Sequence, residues 1–250
     1  GLIHLLTGKY KDGLKLLDQA ALCFKNMADR GNYALTLVNI SQARLTLGES
    51  EPAIEAAREA LEIAREIHHP LVETDALVQI GSAYFFNREI DEAVRHFQLA
   101  LEIAEKSNMS RNIAHIHLAL VNICYYCKDF EKCRNHATKA LSISREIGEK
   151  TAMILSNAGL AAINACEGLY STGLKKLHDA YQEIEKIGND QMAIHLKALL
   201  GEILLNQGKT DRDKVEGKEL LHTARSRAFE KGLIPEIKLI DEMLADQSAV

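Results

Sequence analysis

A period of 40 residues runs through this 250-residue chain and restricts its fold more than any other feature. Ala20, Ala60, Ala100, Ala140 and Ala180 share one column. Seven residues earlier stands a second column of small residues: Gly13, Ala53, Ala93, Cys133 and Gly173. A third column holds Gly8, Gly48, Arg88, Lys128 and Gly168, while Leu61, Leu101 and Leu141 align, as do Ile63, Ile103 and Ile143. After Gly208 about four extra residues shift the register, which resumes with Gly217, Leu221 and Ala224, and they are expected to enlarge a loop. Repetition at this pitch means one supersecondary unit stacked on copies of itself, because a single unit cannot bury its own apolar face.

Each unit reads as two helices. In the third, the first helix is predicted over 70–87 and the second over 90–107, with Leu77, Ile80, Tyr84 and then Ala93, Phe97, Ala100 at helical spacing. Composition agrees: 47% of residues are hydrophobic, only three are proline, and Ala, Leu, Ile, Glu and Lys dominate. The small columns are where helices must approach closely, so a leucine at Ala100 would overpack by roughly 1–3 kcal/mol. Glycine between the helices suits a left-handed turn. Arg88 and Lys128 stand in that column, which predicts turns that close differently or carry mild strain. Ser50, Ser110 and Ser171 stand where helix caps are expected. A closing helix is predicted over 235–246, with Ile237, Ile240 and Leu244 inward.

The third unit reads Leu77-x2-Ile80-Gly81-x2-Tyr84 followed by Ala93-x3-Phe97-x2-Ala100. This resembles the tetratricopeptide repeat signature. HEAT and armadillo repeats have a similar pitch but lack this Gly/Ala spacing. The pitch exceeds the commoner value of about 34. It resembles the longer repeats of kinesin light chain, spindle-orientation adaptors and bacterial regulators with tetratricopeptide sensor arrays. The resemblance implies an all-α fold, a right-handed solenoid of antiparallel helix pairs. It implies a single array over 1–250: a truncated repeat at 1–30, then repeats at 31–69, 70–109, 110–149, 150–189 and 190–233, and the capping helix. The chain begins inside what should be a first helix, with 1–7 ahead of the Gly8 turn, and so reads as a fragment of a larger protein.

Three constellations were weighed for chemistry. Gly208-Lys209-Thr210 has the tail of a phosphate loop, but Ile203 stands where that motif needs glycine and a helix precedes it. It is read as a turn. Cys124, Cys127, Cys133 and His136 lie at i, i+3 spacings on either side of a turn, a geometry open to zinc. Cys133 and Cys124 occupy packing columns, so they are read as core thiols. The ten histidines include His68-His69 and His115-x-His117 but no HExxH, and no nucleophile–base grouping can be assembled from spacing. The expectation is no catalytic residue, no metal and no cofactor. A net charge of −5 with signs interspersed argues against nucleic acid. No apolar run approaches the roughly 20 residues of a membrane span, and five cysteines without a signal peptide suggest a reducing, cytoplasmic setting.

The family resemblance implies that first helices line a groove that takes peptides, extended or helical. Carried over by position, the binding residues expected are Asn39 and Gln42, then Asp75, Gln79, Ser82 and Phe86, then His115, Asn122, Tyr125 and Tyr126. The fifth repeat adds small residues (Ala158, Gly159, Ala162, Cys166), the sixth His195, Glu202 and Asn206. No lysine or arginine joins these asparagines, so a carboxylate clamp for acidic peptide tails is not expected. The function expected is a protein-interaction scaffold, the regulatory part of a larger signalling or transcription-regulating protein. The alternatives are a small-ligand sensor that controls an output domain and an oligomerisation module.

Overall fold

The computed structural model describes residues 10–245. They form twelve α-helices and no strand. In chain order these are α1 (Tyr10–Asn26), α2 (Arg30–Thr46), α3 (Ser50–Glu66), α4 (Pro70–Phe86), α5 (Ile90–Lys106) and α6 (Ser110–Tyr126). Then follow α7 (Phe130–Ile147), α8 (Lys150–Cys166), α9 (Tyr170–Ile187), α10 (Asp190–Gln207), α11 (Asp211–Lys231) and α12 (Ile234–Ala245). The expected helix over 1–7 and its Gly8 turn lie outside the described residues. Two compact units divide the chain, Gly1–Ile123 and Cys124–Val250, with the boundary inside α6. In the first, α1 packs on α2, α2 on α3, α3 on α4 and α4 on α5; in the second, α7 to α12 pack in the same consecutive fashion.

The turns follow a shorter period than the sequence columns suggest. Ala28, Gly48, His68, Arg88, Asn108, Lys128, Gly148, Gly168 and Gly188 all have positive φ, one every 20 residues. Turns inside a repeat and turns between repeats are therefore the same device. At Arg88 its own N–H reaches Phe85 O at 3.0 Å and the Glu89 N–H reaches Tyr84 O at 2.9 Å, and the glycine turn at Gly48 makes the equivalent bonds. These bonds use up the last orphan carbonyls of each helix. Arg88 and Lys128 thus close their turns as glycine does, at φ +67° and +58°. The cost of a left-handed non-glycine residue is about 1–2 kcal/mol.

The residue after a left-handed position takes the N-cap place of the next helix, and at several turns its side chain bonds there, though Glu49, Glu89, Glu149 and Leu169 make no such bond. Asp29, His69, Asp129 and Asn189 accept from the backbone N–H three residues on, and Thr210 forms a reciprocal capping box with Asp213. Ser50 and Ser110 are instead the first residues of their helices and Ser171 the second, because the three-residue turns leave the cap position one or two places earlier. The four extra residues after Gly208 also fall elsewhere than expected. They enter α11, which has 21 residues against 17 or 18 in the helices before it. Four residues turn a helix by about 400°, close to a full turn. Gly217, Leu221 and Ala224 therefore stay on the buried face.

Helix pairs cross where both backbones are bare. A Cβ built on Gly201 would lie 2.8 Å from Gly217 O, and one built on Gly217 would lie 2.8 Å from Gly201 O. A Cβ on Gly81 would lie 3.2 Å from the Phe97 ring and 3.3 Å from Ala93 O. Around these crossings Ala53, Ala60, Ala93, Ala100, Cys133 and Ala140 are fully buried, and Phe97 and Leu77 fill the space beside them. On α12, Pro235 and Ile240 are buried while Ile237 and Leu244 are half-buried.

Two stability measurements check these points. Gly148 has φ +70° with nothing near its missing Cβ, so Gly148→Ala isolates backbone strain and should cost about 1 kcal/mol in urea unfolding. Lys128→Gly should run the other way, gaining up to about 1 kcal/mol less the added unfolded-state entropy. A Cβ on Gly173 would sit 2.6 Å from Ala161 O and 2.7 Å from Ala165 Cβ. Gly173→Ala should therefore lower stability by about 1–3 kcal/mol, and an unchanged melting curve would contradict this helix crossing.

Candidate functional site

First helices sit closer to each other than second helices do. The α2 backbone approaches α4, α8 approaches α10, and α10 approaches α12, whereas α3 and α5, like α7 and α9, show no comparable approach. Within each unit the first helices thus form the tighter, inner row. In the first unit this row carries Asn39 and Gln42 on α2, Asp75, Gln79, Ser82 and Phe86 on α4, and His115 and Asn122 on α6. Tyr125 and Tyr126 belong to the second unit.

None of these ten side chains is fully buried. Gln42, His115, Asn122, Phe86 and Tyr126 are exposed, and Asn39, Asp75, Gln79, Ser82 and Tyr125 are half-buried. Several have part of their hydrogen-bonding capacity committed. Asn39 Nδ2 donates to Leu35 O at 2.9 Å, leaving its side-chain oxygen as the acceptor it presents. Ser82 Oγ donates to Val78 O at 2.9 Å. Tyr125 packs against the apolar cluster of the second unit, its hydroxyl 3.9 Å from Cys166 Sγ. Burial, and then the negative charge of Glu202, push the Tyr125 phenol well above its ordinary range. It contributes more to the wall of this row than to its open surface.

Asp75 is the best-defined polar feature of the first unit. Asn112 Nδ2 on α6 donates to Asp75 Oδ1 at 2.7 Å, joining neighbouring first helices. Burial raises the Asp75 carboxyl above its usual range; Asn112, His115 and His69 pull it back down. The position-by-position comparison missed Asn112. It lies three residues before His115, on the same face of α6, and that spacing is the signal that would have found it.

The cysteines behave as packing groups. Cys133 is fully buried, and burial pushes its thiol up to about 12. Burial also raises Cys124 and lowers His136. Among the described residues no group of three or more His, Cys, Asp or Glu is placed to hold a metal ion. No described helix is long and apolar enough to cross a membrane. A hollow of about 490 Å³ lies along α11, lined by Arg212, Val215, Glu216, Glu219, Leu220 and Thr223. All six belong to one exposed second helix, so it is a surface depression, away from the first-helix row.

Helix pairs joined by identical turns, with bare crossings and an inner row of first helices, define an α-helical repeat protein. Models described as tetratricopeptide repeat match two stretches of it, residues 1–66 and 74–107. Among solved structures, aspartyl phosphate phosphatase F from Bacillus subtilis is similar with a TM-score of 0.77 at 13% identity, over 90% of this chain and 56% of that one. A Rap protein complexed with competence and sporulation factor is similar with a TM-score of 0.71 at 16% identity, over 99% of this chain and 74% of that one. A signal transduction ATPase with numerous domains from Pyrococcus horikoshii, which has a tetratricopeptide repeat sensor, is similar with a TM-score of 0.65 at 18% identity. That match covers 97% of this chain and 37% of that one. The chain therefore spans only part of the phosphatase and of the ATPase, and at these identities the likeness is one of fold. No curated protein matches the chain in sequence.

Thiol reactivity checks the packing role of the cysteines. In native protein at pH 8, iodoacetamide should modify the exposed Cys23 and Cys127 well before Cys133. Peptide mass mapping that found Cys133 modified as fast as Cys127 would contradict its burial.

Proposed function

We propose that the chain is a protein-interaction module that takes a segment of another protein along its rows of first helices, as part of a larger regulatory protein. The observation that carries this reading is the chemistry of those rows. On α2 and α4 most charges are tied to second helices or turns: Arg30 pairs with Glu66, Arg44 with Glu49 at 3.2 Å, and Glu73 with Arg65 at 2.9 Å. What remains at the surface is amides and large apolar groups, with Leu35, Leu71, Phe86 and Tyr126 all more than a third exposed. An amide serves a peptide backbone as donor and acceptor at once, and aromatic side chains supply anchor area. Helices supply this surface ready-made, so binding loses little to ordering the receptor.

The tetratricopeptide sensor in the Pyrococcus horikoshii ATPase is a precedent for such an array acting within a regulatory protein.

The test is affinity capture from the source cell's lysate, comparing the native chain with an Asn39→Ala, Asn122→Ala, Tyr126→Ala variant. All three side chains are at least partly exposed, so the variant should melt within a few degrees of the native chain. A protein retained by the native chain and lost by the folded variant is the expected result. Equal retention by both would move the interface off the first helices.

A further inference from the structure

Among the described residues, the first helices of the first unit hold one carboxylate without a lysine or arginine partner. Of the charged residues on α2 and α4, Arg30, Arg44 and Glu73 are each engaged in an ion pair, and Asp75 is not. Its hydrogen-bond partner is the neutral amide of Asn112, which occupies Oδ1. Of the groups facing it, His69 and His115 are the titratable ones, and Arg111, exposed at the start of α6, is not among those acting on it. A half-buried carboxylate in this position has lost part of its hydration and gained two histidines but no lysine or arginine as counter-charge. Such a group attracts a cation more strongly than a fully solvated one does.

Two further observations agree on the sign. Residues 30–109, which span α2 to α5, carry thirteen acidic and seven basic side chains, a net of −6 in a chain whose total is −5. The acidic excess of the protein thus lies in the unit that holds Asp75, mostly on its second helices, and it steers basic partners toward this unit. Large apolar groups also stand near it in the pattern. Leu71 is one helical turn before Asp75 on α4, and Leu35 holds the corresponding column on α2; both are about 40% exposed.

We infer that Asp75 seats a lysine or arginine side chain of the docked segment, so that the partner is a basic polypeptide with apolar residues beside the cation. This rests on the reading that first helices form the binding surface, and it adds the chemistry of the occupant. Asn112 is a positioning residue: its 2.7 Å bond holds Oδ1 and turns the free Oδ2 lone pairs to the incoming cation.

The probe is a phage-displayed library of random dodecapeptides selected on the full native chain, with the enriched consensus then synthesised. We expect a lysine or arginine at one fixed position beside apolar residues. We also expect at least tenfold weaker binding of that peptide to Asp75→Asn. Replacing the fixed arginine by citrulline, or the lysine by norleucine, should cost as much on the native chain and little more on Asp75→Asn. Asp75→Asn keeps the size of the side chain and its bond to Asn112, and a melting curve verifies its fold. Peptides that lose affinity for Asn39→Ala or Gln79→Ala but bind Asp75→Asn unchanged would overturn the cation seat and leave the first-helix surface standing. Peptides indifferent to all three substitutions, or no enrichment at all, would overturn both.

Discussion

Where two helices of a repeat cross, backbone meets backbone, and most of the architecture depends on that approach. Gly201 faces Gly217 with no room for a methyl group on either side, and Gly81 lies against Phe97 and Ala93 in the same relation. Close crossing brings apolar rows into register, so that a modest set of alanines, leucines and isoleucines is buried with Phe97 beside them. It also explains why the small columns repeat so faithfully: each is the contact surface of the next pair, and packing at crystal-like density tolerates little change in volume.

The turns impose the second constraint. Helices of about 17 residues joined by short turns recur every 20 residues, and a single left-handed residue closes one helix just ahead of the next. Five of these nine positions are not glycine, with Ala28, His68, Arg88, Asn108 and Lys128 all held at positive φ. Helix packing on both sides sustains that strain, since any other turn geometry would break the register of the stack. The extra residues in α11 obey the same logic, because a full helical turn is an insertion the buried face tolerates.

Charge is divided between the two kinds of helix, and function follows from that division. Ion pairs tie charges on first helices to second helices and turns, as Arg227 and Lys231 on α11 pair with Asp190 at the start of α10, the second at 2.5 Å. Partly exposed pairs of this kind contribute modestly to stability, and they neutralise charge at the ends of first helices. The inner rows are left with amides, hydroxyls and apolar groups on a rigid support. Asp75 is the exception in the first unit, half-buried beside two histidines and an amide rather than a lysine or arginine.

Much of this was legible from the order of residues alone. The columns of Ala60, Ala100 and Ala140 identify the repeat, and the spacing around Leu77 and Phe97 sets helix limits to within a residue, because burial at a fixed pitch writes itself directly into residue size. Turn conformation did not show. A left-handed residue is recognisable in sequence only where it is glycine, and packing forces Arg88 and Lys128 into the same state. Nor did the placement of the four added residues, since a loop and an extra helical turn differ only in whether Thr210 and Asp213 cap each other. Sequence by itself determined the repeat, its helices and the candidate face, because these depend on local periodicity. The bond from Asn112 to Asp75 and the withdrawal of Tyr125 onto Cys166 were decided by tertiary structure alone, because they join residues 37 and 41 positions apart whose meeting depends on how successive pairs stack.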